Sequence, residues 1–163
     1  MTIISLYKLI EILGVGFRVM NLEGTPRCPI CNGLLGGFGT RKRKYIDADW
    51  KKQTLIIRRL LCAGCGAIHH ELPDFLVPYK RYCAQTVENV INEADVGDNI
   101  ENSTVHRIRS WWRNLGIYIK GILGSLTSKH QIRFSDPPKL KEVVRALANS
   151  NLWISTRSAC TPG

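Results

Sequence analysis

Two cysteine pairs, Cys28-Pro-Ile-Cys31 and Cys62-Ala-Gly-Cys65, constrain this chain more than any other feature. A two-residue spacer lets one tight turn present two sulfurs to a single ion. The thirty residues between the pairs suffice for a β-hairpin that brings the two turns together. Asn32-Gly33 and Gly66 follow the pairs and supply the positive-φ freedom that such turns need. Four thiolates saturate a tetrahedral zinc and leave no open coordination position. Cys28, Cys31, Cys62 and Cys65 are therefore expected to hold one structural zinc. The other two cysteines, Cys83 and Cys160, fit no ligand spacing.

The charge is the second constraint. Lys and Arg number 23 against 13 Asp and Glu, a formal net charge of +10 that favours a polyanionic partner. Residues 39–82 carry ten Lys/Arg against four acids, residues 83–102 five acids and no base, and residues 103–133 six bases and no acid. Two positive blocks around a negative one suggest two contact surfaces, with the acidic block facing away from the partner. No apolar run approaches the length of a membrane span, and Lys8 and Glu11 interrupt the apolar start. A cytoplasmic, nucleoid-associated protein with no membrane partner is the expectation.

The pattern along the chain predicts an α+β protein: a small zinc-ribbon β-hairpin module followed by a helical, helix-turn-helix-like module. Residues 1–25 form an apolar N-terminal segment in which Ile3–Leu13 reads as strand or helix and Phe17–Met20 as strand. Residues 26–80 form the ribbon, with β-like stretches at Arg41–Ile46 and Thr54–Leu61 joined by a polar turn. The prolines at 73 and 78 mark 69–81 as linker-like. In 81–133, Val87, Val90 and Ile91 keep helical spacing over 84–94, and Asp95–Asn99 breaks it. Asn102 or Ser103 would cap a second helix, Thr104–Leu115, with Val105, Ile108, Trp112 and Leu115 on its apolar face. Trp111 and Trp112 read as core. A third helix is expected at Ile117–Leu126. In 134–163, Ser135-Asp136-Pro137-Pro138 starts a helix over Lys139–Ala148 with Leu140, Val143, Val144 and Leu147 in one stripe.

Basic residues beside a metal ribbon and on a capped helix point to nucleic acid, DNA ahead of RNA. The candidate contacts are Arg41, Lys42, Arg43, Lys44, Arg58, Arg59, Lys80, Arg81, Arg107, Arg109 and Arg113. The ribbon residues suit phosphates, and the polar face of the second helix suits base edges. The stretch Cys62–Tyr82, with Arg41–Lys44 and Ser103–Trp112, resembles an uncharacterised bacterial family found mostly in Gram-positive species. Its members read as a zinc ribbon joined to a helix-turn-helix, similar to the N-terminal DNA-binding heads of some insertion-sequence transposases. The resemblance covers about Cys28–Trp112 plus Trp153–Ala159, and implies a DNA-binding regulator or accessory factor of a mobile element. Two alternatives remain. Gly66–Pro73, with His69 and His70 after a cysteine pair, resembles the entry to an HNH nuclease, which would need Asn89 or Asn92 as a further metal ligand. A ribbon can also serve as a protein-binding adaptor of a nucleoprotein complex, through the acidic block. His69 and His70 can equally act as donors beside the sulfurs.

Overall fold

The longest β element of the protein is the hairpin expected between the cysteine pairs. The computed structural model describes residues 1–93, 99–130, 133–135 and 138–154. In chain order it has β1 (Thr2–Ile4), β2 (Tyr7–Ile12), β3 (Gly16–Asn21), β4 (Leu35–Ile46), β5 (Lys52–Cys62), β6 (Ile68–Pro73), α1 (Ala84–Ile91), α2 (Asn102–His130) and α3 (Leu140–Asn149). β4 and β5 pair antiparallel from Leu35↔Cys62 to Ile46↔Lys52. β4 thus starts six residues before the expected Arg41 and β5 runs on to Cys62, so the hairpin reaches the cysteine turns. Glycines at 36, 37 and 39 lower strand propensity over that stretch and hid it from the sequence pattern.

β5 is the strand on which the sheet is assembled. One edge takes β4; the other takes β3 in parallel at Leu55 and Ile56, then β6 antiparallel at Arg59–Leu61. β6 continues beyond β5 to pair in parallel with β1. The N-terminal segment therefore holds three strands and no helix, and its parallel partners lie more than thirty residues away in sequence. Local periodicity carries no information about such pairings. Residues 69–81, expected as a linker, instead contain β6 and a loop whose Leu76 and Val77 are fully buried. The two prolines bound a packed turn.

Leu55 and Ile57 point from β5 toward the helices, and with Tyr45, Leu72, Val87, Val90, Leu115, Val144 and Leu147 they form one core. Residues from all four expected segments, Ile3 to Ala148, contribute to it. The α3 stripe is as expected, with Leu140, Val143, Val144 and Leu147 all buried. Glu88, from the acidic block, accepts from the Leu140 amide (2.9 Å) and so satisfies a free donor at the start of that helix.

The helices expected at Thr104–Leu115 and Ile117–Leu126 are one continuous helix of 29 residues, so no turn separates them. Gly116 costs about 1 kcal/mol in a helix. The stripe Ile108, Trp111, Leu115, Ile119, Leu126 runs straight past it and is buried along its length. Packing of that face outweighs one glycine. The deeper tryptophan is Trp111; Trp112 is half-buried. α1 and α2 are joined by the ten residues 92–101, longer than the three- or four-residue turn of a helix-turn-helix. The break expected at Asp95–Asn99 lies outside the described residues up to position 98. Outside them too are Asp136 and Pro137 of the α3 start, residues 155–159 of the closing match, and Cys160. No described helix is long and apolar enough to cross a membrane.

Candidate metal centre and adjoining basic surface

The two cysteine turns are built alike. The Cys28 amide donates to Gly33 O (3.0 Å) and the Asn32 amide to Cys28 O (2.8 Å); the Cys62 amide donates to Ala67 O (3.0 Å) and the Gly66 amide to Cys62 O (3.0 Å). Asn32 (φ 59°) and Gly66 (φ 70°) occupy the same place in each turn, four residues after the first cysteine. That left-handed residue reverses the chain and leaves amides aimed at sulfur. The hairpin then lays one turn beside the other.

All four Sγ atoms lie within 4.8 Å of one another. Cys28–Cys65 is 3.7 Å and Cys31–Cys62 is 3.4 Å, far beyond a disulfide bond. A tetrahedral ion with metal–sulfur bonds of about 2.3 Å needs sulfurs about 3.8 Å apart. Donor set and spacing therefore fit a four-thiolate metal centre. Cys28 and Cys62 are buried, and Cys31 and Cys65 are exposed. The Cys65 amide, with help from that of Gly64, pulls the Cys62 thiol down to about 6 against the effect of burial. The Gly33 amide favours the Cys31 thiolate, yet the neighbouring sulfurs of Cys62 and Cys65 push Cys31 up to about 12. Bare thiols in this geometry share protons; a divalent ion replaces them.

His69 is the second layer of this centre. It is buried, with Nε2 3.3 Å from Cys28 Sγ and Nδ1 3.0 Å from the Met1 amino nitrogen. Burial holds its pKa below the usual histidine value, with the Met1 and His70 charges adding to that. The next residue, His70, points elsewhere. It shares a depression with Thr40, Arg41, Arg59 and Ile68, and burial, then Arg41 and Arg59, lower its pKa. Among the described residues the only group of side chains arranged to hold a metal is the four-cysteine set.

The basic residues fall into distinct groups. Arg41, Arg59 and His70 line the first depression; Arg41, Lys42, Arg43, Lys44, His70 and Tyr79 line a second; Tyr79, Lys80, Arg81, Thr104 and Arg107 line a third. Adjacent depressions share residues, Arg41 with His70 and then Tyr79. They form one path from the hairpin to the first turn of α2. No acidic residue lines any of the three. Eight of the eleven expected contacts, Arg41, Lys42, Arg43, Lys44, Arg59, Lys80, Arg81 and Arg107, line it, although the alternation of β4 turns the side chains of Lys42 and Lys44 to the sheet face opposite Arg41 and Arg43.

The remaining three lie apart. Arg58 grips the buried Glu71 with two 2.7 Å bonds, and Asn21 adds a third at 2.8 Å. Arg109 donates from Nε to Val90 O (3.1 Å), satisfying a carbonyl at the end of α1. Arg113 is exposed on α2 away from the path. Arg43, although on the path, donates from Nη2 to Val77 O and Lys80 O at 3.0 and 3.1 Å, which holds the loop between β6 and α1. Lys80 Nζ sits 4.2 Å above the Trp111 ring. Arg107 donates to Thr104 Oγ1 (2.8 Å) one turn back.

Residues 28–108 match the family model described as a domain of unknown function (DUF6431). That segment holds both cysteine turns, the whole hairpin, α1 and the first turns of α2, and hence the entire basic path. No curated protein and no solved structure matches the chain.

Sequence reasoning missed two features of this surface. Phe38 is exposed beside Arg59, and Tyr79, also exposed, stands where two depressions meet. An aromatic residue set among glycines in the Gly36-Gly37-Phe38-Gly39 stretch was the available signal for the first. Nothing local marks the second.

Proposed function

We propose that this protein binds nucleic acid, DNA ahead of RNA, along the basic path, and that a structural zinc at Cys28, Cys31, Cys62 and Cys65 holds the hairpin that carries half of it. The observation that carries this reading is the run of three adjoining depressions lined by eight Lys/Arg and no acid. A solvated basic surface has no reason to gather into one track; a polyanion does. Zinc suits four thiolates better than harder divalent ions do. The resemblance to transposase heads supports a regulator or accessory factor of a mobile element. In a helix-turn-helix-like docking, the first turns of α2 with Arg107 would approach a groove while the hairpin follows the backbone. The reading requires no catalysis: His69 is taken up by the sulfurs, and His70 stands among arginines rather than carboxylates.

The test is fluorescence anisotropy on labelled duplex DNA at several salt concentrations, with RNA of the same length beside it. Arg41→Gln with Arg81→Gln should weaken binding to all sequences alike and flatten the log–log salt slope by about two. Arg107→Ala should cost about 1–3 kcal/mol on a preferred site and less on random DNA. Absence of binding at low salt by zinc-loaded protein would end this reading.

A further inference from the structure

The register of β4 against β5 is regular except at one residue. Gly37 pairs with Leu60 and Gly39 with Arg59, so Phe38 is the extra residue of a β-bulge. Gly39 (φ 109°) takes the backbone conformation that the bulge needs. The bulge presents the Phe38 ring outward, 45% exposed, on a strand whose nearest side chains are missing: a Cβ at Gly37 or Gly39 would meet nothing within 4 Å. The flanks of the ring are open. The Arg59 guanidinium sits 4.9 Å from its centroid, and this same arginine pairs across β5 and β6 with His70 and lines the depression with Arg41. A second exposed aromatic, Tyr79 (64%), stands further along the path.

The contact with Arg59 contributes little at an exposed site and leaves the rest of the Phe38 ring open to water. Duplex DNA offers this surface only phosphates and groove edges, because its bases are stacked on one another. A single strand offers a flat base for the ring and a phosphate for the arginine beside it. We propose that the hairpin end of the basic path recognises unpaired nucleotides, with one base stacked on Phe38 and its phosphates held by Arg59 and Arg41. This rests on the nucleic-acid reading above and narrows its ligand to DNA with a single-stranded segment. Stacking at Phe38 tolerates any base, so this end supplies strand-state preference rather than sequence preference.

The experiment is anisotropy of the zinc-loaded full chain with labelled oligo-dT of about 12 nucleotides and with a blunt duplex of the same length. Phe38→Ala should weaken oligo-dT binding about 5- to 100-fold and duplex binding less than about 2-fold. Phe38→Trp should restore the single-strand affinity. Phe38→Leu, which keeps apolar bulk without a flat face, should not. If the alanine variant loses zinc, the Leu and Trp pair decides the matter by itself. Equal losses on both DNAs, no loss on either, or full affinity in the leucine variant would overturn the stacking proposal while duplex binding by wild type leaves the wider reading standing. Wild type that binds neither DNA overturns both.

Discussion

Taking the metal away should open one end of the sheet and leave the helical layer folded. The reason lies in how the cores are divided. Among the described residues, the apolar cluster around Cys28 and Cys62 adds only Leu35 and Leu60, with His69 beside it, whereas the main core gathers 24 buried residues and none of the four clustered cysteines. Burying two leucines contributes about 1.5–3 kcal/mol each, or about 3–6 kcal/mol together. Ordering the two turns and the strand ends beside them costs about 1–2 kcal/mol per residue, which exceeds that gain. The ion, on the order of 10 kcal/mol, is what tips the balance at that end. Tyr45, Leu55, Ile57, Leu72, Leu76 and Val77 belong to the main core, so the effect should stop well short of residue 80. Hydrogen exchange read by mass spectrometry, on chelated wild type and on Cys62→Ser, measures this directly. Amides of 28–36 and 61–67 should become unprotected. Those of α1 and α3 should slow-exchange within about tenfold of the metal-loaded protein, a change of about 1.4 kcal/mol. Equal loss of protection in α3 would refute the division into two cores.

Three further outcomes follow from particular contacts. His69→Ala removes the donor 3.3 Å from Cys28 Sγ and should weaken zinc affinity about 10- to 100-fold in a competition titration against a chromophoric chelator. Arg58→Ala should cost about 3–5 kcal/mol in urea unfolding, and Glu71→Gln distinctly less. The first strands a carboxylate that is 1% exposed, while the second frees an arginine whose side chain is 40% exposed and can turn to water; equal costs would contradict this. Gly16→Ala places a Cβ 2.2 Å from Thr54 O, and the loss of the β3–β5 pairing should appear as a lowered melting temperature, whereas an unchanged one would show that the backbone yields there.

What could be read from the residues was what depends on short range. The spacing within each cysteine pair, the β-branched run of β5 and the stripe of α3 are local patterns, and each stands where the sequence put it. The cysteine cluster was legible for the same reason, since its two turns are self-contained and need only the hairpin to bring them together. Non-local choices were not legible. The parallel pairings of β1 and β3 are fixed by partners distant in sequence. Two helices were expected on either side of Gly116 because local pattern was visible and the burial of Ile119 and Leu126 was not. The basic path joins charges from β4, β5, the loop after β6 and α2, which no linear window brings together. Composition announced a surface of that sign, but only the fold gathers it.

The first strand and the last described helix share the core, and one side chain also ties their backbones together. Asn149 Oδ1 accepts from the Ile3 amide (2.7 Å) and Asn149 Nδ2 donates to Ile3 O (3.0 Å), so one carboxamide does for the open edge of β1 what another strand would do. These partners are 146 residues apart. On a ribosome, Ile3 emerges long before Asn149 exists, so this edge of β1 stays unsatisfied until the chain has been made as far as residue 149. Contacts of such span close slowly. Until then β1 offers a foreign strand a place to pair, a window of vulnerability that closes when α3 docks.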